Sequence, residues 1–196
     1  MSQKGSNFER EICKKLSLWW TKDTAPRDDI FWRTQTSGAR ATTRSKQGKE
    51  TFGQYGDVQA VDPIGQPLMD ILTIELKRGY SRSSFADMVE VSPTAAVQEF
   101  DKFVAQALTD ARKANVSYWL LITKRDRKEV WLTMPRTLYR ILRKMQPSLQ
   151  TELPIVRMQY LCRANDSKIR IKIVMMPLIK FLYHVSPTNI KAIGKP

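Results

Sequence analysis

Residues 57–77 read DVQAVDPIGQPLMDILTIELK. Two apolar segments in this stretch lie on either side of a turn that contains Pro63 and Gly65. Short apolar segments that are bounded by turn residues are typical of buried strands. We therefore predict two neighbouring strands, at Asp57–Val61 and at Ile71–Lys77.

Two acids and a lysine lie on these predicted strands. Side chains alternate across a strand, so Glu75 and Lys77 share one face while Leu76 points to the other. If the two strands pair as neighbours, Asp57 approaches Glu75, and a cation relieves the repulsion between their carboxylates. Mg²⁺, or Mn²⁺ in its place, suits such oxygen ligands and retains waters for a phosphate group. We therefore predict a metal site at Asp57 and Glu75.

The chemistry that such a site supports is phosphodiester hydrolysis. A divalent cation polarises the scissile phosphate and activates a water molecule. Lys77, on the same face as Glu75, can orient or help to deprotonate that water and stabilise the negative charge that develops. Asp57, Glu75 and Lys77 together are therefore predicted to be catalytic.

The composition indicates a polyanionic partner. The chain has 196 residues, of which 33 are Lys or Arg and 19 are Asp or Glu, so its formal net charge is +14. A surplus of this size points first to nucleic acid and second to an anionic membrane surface. No apolar run in the sequence approaches the ~20 residues that a spanning helix needs, so we expect DNA as the partner and no membrane.

The scarcity of cysteine and histidine argues against several classes of site. Cys13 and Cys162 offer neither a disulfide framework nor paired metal-ligand spacing, and His184 is the single histidine. Zinc ligation and histidine-based nuclease chemistry are therefore poorly supported. Since the N-terminus has no apolar stretch of the secretory type, we expect a reducing cytoplasm.

The rest of the chain reads as helices and strands. An apolar stripe at helical spacing predicts a helix at Ser6–Trp20, with Ser6 and Glu9 in a capping box. The later predicted elements are a strand at Ile30–Thr34, a helix that begins at Ser92-Pro93, strands at Tyr118–Thr123 and Glu129–Thr133, a basic helix at Pro135–Met145, and two strands within Arg157–Met176 around Asn165-Asp166. This order predicts one α/β domain.

The acids and the lysine have the order and spacing of a nuclease signature. Asp57 opens one strand, 17 residues follow, and Glu75-Leu76-Lys77 lies on the next strand. This arrangement resembles the PD-(D/E)XK nuclease superfamily, with Gly56 in place of the Pro that commonly precedes the Asp. The resemblance implies a restriction-endonuclease-like core over residues 1–134, with a mixed central sheet flanked by helices. Residues 135–196 would then form a basic helix-and-strand extension packed on the same domain.

The N-terminal part is similar to one group within that superfamily. Lys4–Glu11 reads KGSNFERE, which resembles the K-G-x-x-x-E-R opening helix of archaeal-type Holliday-junction resolvases. Arg33 and Ser37-Gly38 resemble the Arg and Ser-Gly segment that precedes the catalytic Asp there. The similarity covers roughly residues 4–125, and residues after about 130 have no counterpart. It implies that Glu9 is a further catalytic and metal-binding acid, that Ser37 lies near the scissile phosphate, and that a homodimer cuts branched DNA.

Two basic segments are predicted to follow the phosphate backbone of DNA. The loop from Gly38 to Gly53 carries four cations. The predicted helix at Pro135–Met145 also carries four, of which Arg136, Arg140 and either Arg143 or Lys144 fall on one face. Cations placed in this way contact phosphates without reading bases. The predicted DNA-binding residues are Arg33, Ser37, Arg40, Arg44, Lys46, Lys49, Arg136 and Arg140.

Alternatives stay open at this point. The protein could be a restriction-type or repair-type nuclease of the same fold, which cleavage of linear and four-way DNA would separate. It could also be a non-catalytic basic module that binds DNA or RNA, with Asp57 in a turn and Glu75 and Lys77 on a solvated strand edge. The basic helix would equally serve a peripheral membrane protein, and Glu9 could be a capping residue alone.

Overall fold

The computed structural model describes residues 3–34, 55–79, 97–150, 154–164 and 167–194. Within these ranges the strands are β1 (Phe31–Arg33), β2 (Val58–Ala60), β3 (Leu72–Arg78), β4 (Tyr118–Lys124), β5 (Val130–Pro135), β6 (Val156–Ala164) and β7 (Ser167–Pro177). The α-helices are α1 (Gln3–Trp20), α2 (Gln66–Met69), α3 (Glu99–Lys113), α4 (Arg136–Met145), α5 (Leu178–His184) and α6 (Pro187–Lys191).

Five of the strands form one mixed sheet, in the order β3-β4-β5-β7-β6. β3 and β4 are parallel, with Glu75 opposite Leu121, and the other neighbouring pairs are antiparallel. A parallel pair needs a crossover connection, and α3 lies within the one that joins β3 to β4. β1 and β2 form a separate antiparallel pair. A mixed sheet flanked by helices confirms the predicted fold class.

Helices cover both faces of the five-stranded sheet, and each face has its own apolar core. On one face, Phe8 of α1 is buried in a cluster with Ile74 and Leu76 of β3. On the other face, Phe103 of α3 is buried in a cluster with Leu121 of β4. Because side chains alternate along β3, the residue between Ile74 and Leu76 points toward α3.

Helix α1 begins at Gln3, three residues before the predicted start. Ser6 therefore lies inside the helix, and its hydroxyl accepts a hydrogen bond from Arg33 Nη1 at 2.9 Å. The same guanidinium contacts the Glu9 carboxylate at 3.3 Å. The predicted capping box of Ser6 and Glu9 is wrong, because both side chains face a cation that is distant in sequence.

The helix that follows β3 begins later than predicted. α3 starts at Glu99, and the Gln98 N–H donates a hydrogen bond to the Asp101 carboxylate at 2.9 Å. Val97 precedes the helix and is exposed. The predicted start at Ser92-Pro93 is therefore wrong for this helix, because Asp101 caps it nearer to its apolar stripe. Residues 92–96 themselves lie outside the described ranges.

The two strands that carry the predicted acids do not pair along their length. β2 pairs with β1, whereas β3 pairs with β4. The predicted pairing of β2 with β3 is therefore wrong, because no ladder of backbone hydrogen bonds joins these two strands. One backbone hydrogen bond, from the Asp57 N–H to the Ile74 carbonyl oxygen at 2.8 Å, joins the start of β2 to β3 instead.

The C-terminal part of the chain adds two strands to the same sheet. β6 and β7 confirm the two predicted strands, and α4 confirms the basic helix. Residues 178–191, for which no element was predicted, contain α5 and α6. The division of the chain at residues 134 and 135 stays a prediction. Of the helices in the described part of the chain, none has the length and hydropathy that a bilayer span requires.

Candidate active site

Asp57 is bonded to β3 on both sides of Glu75. Its backbone N–H donates to the Ile74 carbonyl oxygen at 2.8 Å, and its Oδ2 accepts a hydrogen bond from the Leu76 N–H at 2.8 Å. Thr34 adds a third link, because its N–H donates to the Asp57 carbonyl oxygen at 3.0 Å. Asp57 is 7% exposed. The edge of β3 thus holds Asp57 by its backbone N–H and by one oxygen of its carboxylate.

Gly56 makes this close approach possible. Its φ is +73°, in the left-handed region where a side chain is strained. A Cβ built on Gly56 would lie 2.7 Å from the Ile74 carbonyl oxygen, which is too close for a carbon atom. Proline, which fixes φ near −65°, could not adopt this conformation. The geometry therefore gives a physical reason for glycine, and against proline, at the position before Asp57.

Glu75 is the most deeply buried acid of the site, at 1% exposure. One of its carboxylate oxygens accepts a hydrogen bond from Lys77. The other, Oε2, is buried and has no hydrogen-bond partner among the described residues. Burial and, next, the charge of Asp57 raise the pKa of Glu75 well above its usual value, while the ammonium of Lys77 acts in the opposite direction. The two carboxylates therefore repel each other where both are shielded from solvent.

Lys77 forms an ion pair with Glu75 on the face of β3 that points toward α3. Its Nζ lies 5.7 Å from the centre of the Phe103 ring of α3, within the range of a cation–π contact. The Lys77 side chain is 16% exposed. The ammonium is thus held between a carboxylate and an aromatic ring. The structure confirms that Glu75 and Lys77 share one face and excludes the solvated strand edge as their environment.

Asp110 is an acid near this site that the sequence reasoning missed. It lies in the last turn of α3, near the backbone N–H of Gly56. Burial and the charge of Asp57 raise the pKa of Asp110, although Lys113 and the backbone N–H of Gly56 lower it. An acid near a helix C-terminus is unfavourable toward the helix dipole. That local conflict is the signal by which the sequence could have indicated Asp110.

Thr73 was also missed, and it precedes Glu75 by two residues on the same face of β3. Its hydroxyl is buried and has no hydrogen-bond partner among the residues that the structure describes. Thr73 lines an open cleft of about 530 Å³ together with Thr34, Tyr55 and Asn115. The cleft is therefore predominantly polar where it approaches the segment that carries Asp57.

Glu9 lies on α1, which covers the opposite face of the sheet from Glu75. The Arg33 guanidinium pairs with its carboxylate at 3.3 Å, and Glu9 is buried. Burial, then Glu9 and then Asp57 raise the pKa of Cys13 to about 12, although Arg33 lowers it, so Cys13 lies near both acids. Arg33, predicted to contact DNA, is held by Ser6 and Glu9.

The remaining predicted DNA-binding residues divide into two groups. Arg136 and Arg140 are exposed on α4 and line an open groove of about 580 Å³. The other group lies outside the described residues and comprises Ser37, Arg40, Arg44, Lys46 and Lys49.

The donor set suits a hard divalent cation with few protein ligands. A buried carboxylate oxygen without a partner is unfavourable, and a cation beside Glu75 Oε2 would offset both that cost and the repulsion from Asp57. Mg²⁺ is commonly held by one or two carboxylates and several waters. Among the described residues, no group of three or more acidic, histidine or cysteine side chains could hold a metal ion. The fit is therefore to Asp57 and Glu75, and the structure does not bring Glu9 into a three-acid cluster.

A mixed sheet whose edge strand carries Glu-X-Lys, with an Asp bonded to the same strand, defines the restriction-endonuclease-like class of proteins. The chain belongs to the family described as "phage putative PDDEXK endonuclease", whose model matches residues 1–192. The match includes the residues after about 130, for which the junction resolvases offered no counterpart. No curated protein matches the chain significantly, and no solved structure does.

Proposed function

We propose that the protein is a metal-dependent endonuclease that hydrolyses phosphodiester bonds in DNA. The observation that carries the proposal is the buried, mutually repelling pair Asp57 and Glu75, with Lys77 bonded to Glu75. The family to which the chain belongs supports nuclease chemistry. The formal net charge of +14 supports a polyanionic substrate.

Asp57 and Glu75 would hold the cation, with Mg²⁺ preferred and Mn²⁺ as a substitute. When bound, the cation supplies Lewis-acid activation of the scissile phosphate and of a water molecule. The chain orients Asp57 for this role. The Leu76 N–H donates a hydrogen bond to one carboxylate oxygen of Asp57, and the other oxygen would bind the cation. Glu9 is proposed as an additional acid, on the resemblance of residues 4–11 to the opening helix of the junction resolvases.

Lys77 is proposed to hold the attacking water and to neutralise the charge that develops on the phosphate. Its ammonium is restricted by Glu75 and by the Phe103 ring, so little ordering is needed when substrate binds. A cation at Glu75 would compete for the carboxylate to which Lys77 is bonded. The ammonium could then turn toward the substrate while it stays on the same face of β3.

Four-way DNA junctions are the proposed preferred substrate, and a homodimer is the proposed active form. The support is the resemblance of residues 4–11 and 33–38 to junction resolvases, which act as dimers because two strands must be cut. Contacts to the phosphate backbone are proposed for Arg33, Ser37 and the basic segment from Arg40 to Lys49. A reducing cytoplasm is the proposed compartment, supported by free, buried cysteines at positions 13 and 162.

The proposed activity is tested by cleavage of linear, nicked and four-way DNA with Mg²⁺ or with chelator. We expect cutting in Mg²⁺ alone, fastest on the four-way substrate. Lys77→Met should lower the cleavage rate by roughly 10²–10⁴-fold, the usual contribution of a positioned proton-transfer group, and should leave DNA binding intact. Lys128→Met is the matched control, because Lys128 is exposed in the turn before β5.

Two results would contradict these proposals separately. An unmutated protein that binds DNA but cuts none of the substrates in Mg²⁺ or Mn²⁺ would be a non-catalytic binding module. Equal cutting of linear and four-way DNA would leave the nuclease proposal standing and remove junction selectivity, in favour of a restriction-type or repair-type enzyme.

A further inference from the structure

A groove lined by basic residues lies at the end of the sheet where β4 begins and β5 ends. The groove of about 580 Å³ is lined there by Arg136 and Arg140 of α4 and by Arg170 and Lys172 of β7. All four side chains are exposed. None of them forms an ion pair with another described residue. The sequence patterns singled out the two arginines of α4 but not the two cations of β7.

The groove combines positive charge with an apolar floor. Its other lining residues include Leu108, Trp119 and Pro135, and no lining residue in the described part of the chain is acidic. Helix α4 begins at Arg136 without a side-chain cap, so its first N–H groups add to the positive field at the same place. Four cations converge on this groove, and its described lining residues carry no counter-charge, so an anionic partner would be attracted to it.

The position of the groove relative to Glu75 follows from the strand register. Glu75 is opposite Leu121, Leu121 is opposite Thr133, and Thr133 is opposite Met175. Ile171 is therefore three strands and four residues from Glu75, a separation on the order of 20 Å at about 4.8 Å per strand and 3.3 Å per residue. Phosphates in one strand of duplex DNA are about 3.4 Å apart along the axis, so the groove lies roughly six nucleotides from the acids.

Helix α3 separates the two sites. Leu108 of α3 lines the groove, whereas Asp110 lies near Gly56 and Asp57. Two residues along an α-helix correspond to a rotation of roughly 200°, so the groove and the acids lie on opposite flanks of this helix. A ligand that reaches both sites must be long and must carry repeated negative charge.

We propose that this groove binds the phosphate backbone of the DNA substrate at a distance from the cleavage site. The inference rests on the proposed nuclease function for the choice of DNA. A concave groove with cations on two of its walls suits a rod-like backbone better than a planar membrane surface. Arginine forks bind phosphate oxygens in pairs, so Arg136, Arg140 and Arg170 supply affinity and Lys172 supplies a point charge.

The test compares two charge-matched double variants of the full chain. Arg170→Gln/Lys172→Gln removes the groove cations of β7, and Lys22→Gln/Lys180→Gln removes two exposed cations near α1 and α5. Binding of a labelled 30-base-pair duplex is measured in chelator over a range of salt concentrations, so that no cleavage is needed. The groove variant should lower the slope of log affinity against log salt by about 2, at roughly 0.9 per phosphate contact. Its affinity at 0.1 M salt should fall at least about tenfold, and the control should change less than about twofold.

The same variants separate this inference from the proposed activity. If cleavage in Mg²⁺ is present, the groove variant should raise KM and leave kcat unchanged, because the contact is equal in ground and transition states. Equal salt slopes for both double variants would overturn the groove proposal whether or not the protein cuts DNA. The groove variant could instead bind duplex DNA as the unmutated protein does and lose binding to single-stranded RNA or to phosphatidylserine vesicles. That result would overturn the groove proposal in favour of RNA or of a membrane surface.

Discussion

At the scale of single residues, the central feature is a carboxylate that the fold buries without full compensation. Glu75 has one oxygen bonded to Lys77 and one with no partner among the described residues. Asp57, fixed by Leu76 N–H, adds a repulsive charge. Natural proteins keep such costly groups where function needs them, since strongly perturbed acids cluster at functional sites. The instability of this pair is therefore evidence for a cation site.

Glu75→Gln should raise the thermal stability of the metal-free protein above neutral pH. The pKa of Glu75 is raised in the folded state, so the folded chain binds the proton more tightly than the unfolded chain. Stability from this group is complete below the unfolded pKa, near 4.3, and is lost as pH rises toward the folded pKa. In chelator at pH 8, the variant should melt higher by roughly 2–4 °C for each kcal/mol relieved.

The control for this measurement is Glu129→Gln, because Glu129 is exposed before β5. The stability difference between Glu75→Gln and the unmutated protein should shrink as the pH approaches 4, and Glu129→Gln should leave the melting temperature at pH 8 nearly unchanged because its side chain is exposed. Addition of Mg²⁺ should raise the melting temperature of the unmutated protein and not that of Glu75→Gln. A Glu75→Gln variant that melts lower than the unmutated protein in chelator at pH 8 would contradict the assignment.

At the scale of secondary-structure elements, the site depends on how the segment before β2 contacts β3. No ladder joins these two described strands. The contact is made by Asp57, through one backbone bond and one side-chain bond, and by Gly56 at positive φ. The backbone of a single dipeptide therefore decides whether the two acids share a site.

Gly56→Ala should displace Asp57 and lower both stability and cleavage. A Cβ at this position would meet the Ile74 carbonyl oxygen at 2.7 Å and would also be strained by its φ of +73°. Backbone strain of this kind costs about 1–3 kcal/mol. We expect the free energy of unfolding to fall by more than that, because the clash adds to the strain. Urea denaturation measures this loss directly.

Gly79→Ala is the control that separates the effect of backbone strain from the effect of a steric clash. Gly79 has a φ of +94°, and no described atom lies within 4 Å of the position that an alanine methyl group would take there. The variant should lose stability by strain alone and keep its cleavage rate. If Gly56→Ala and Gly79→Ala were equally stable and equally active, close approach of Gly56 to β3 would not matter for the site.

The strands and helices also show which features sequence patterns predict and which they do not. β3 and β4 were recognisable because buried strands read as apolar runs bounded by turns, and Glu75 with Lys77 followed from alternation along β3. The separation of β2 from β3 was not predictable, because register depends on tertiary contacts such as that of Asp57 with Ile74. The start of α3 was misplaced for a similar reason: Ser92-Pro93 is a good local start, but Asp101 provides a cap nearer to the packed face.

At the scale of the whole molecule, a strongly basic chain contains a buried pair of acids. The formal net charge of +14 predicted a polyanionic partner but could not say where it binds. Folding brings Arg170 and Lys172 of β7 beside Arg136 and Arg140 of α4, which are distant in sequence. Helix α3 then separates this groove from the acids. We therefore propose that α4 and β7 attract the DNA, whereas β3 and the segment before β2 carry the cleavage chemistry.

The central claim, that Asp57 and Glu75 jointly bind a divalent cation, is tested most directly by an anomalous-difference map from crystals grown with Mn²⁺. We expect one strong peak within coordination distance of the free Asp57 oxygen and of Glu75 Oε2, with Lys77 on the same side of β3. The peak should be absent from crystals of Asp57→Asn grown under the same conditions. A map with no density between these carboxylates at saturating Mn²⁺, or with an unchanged peak in Asp57→Asn, would contradict the claim.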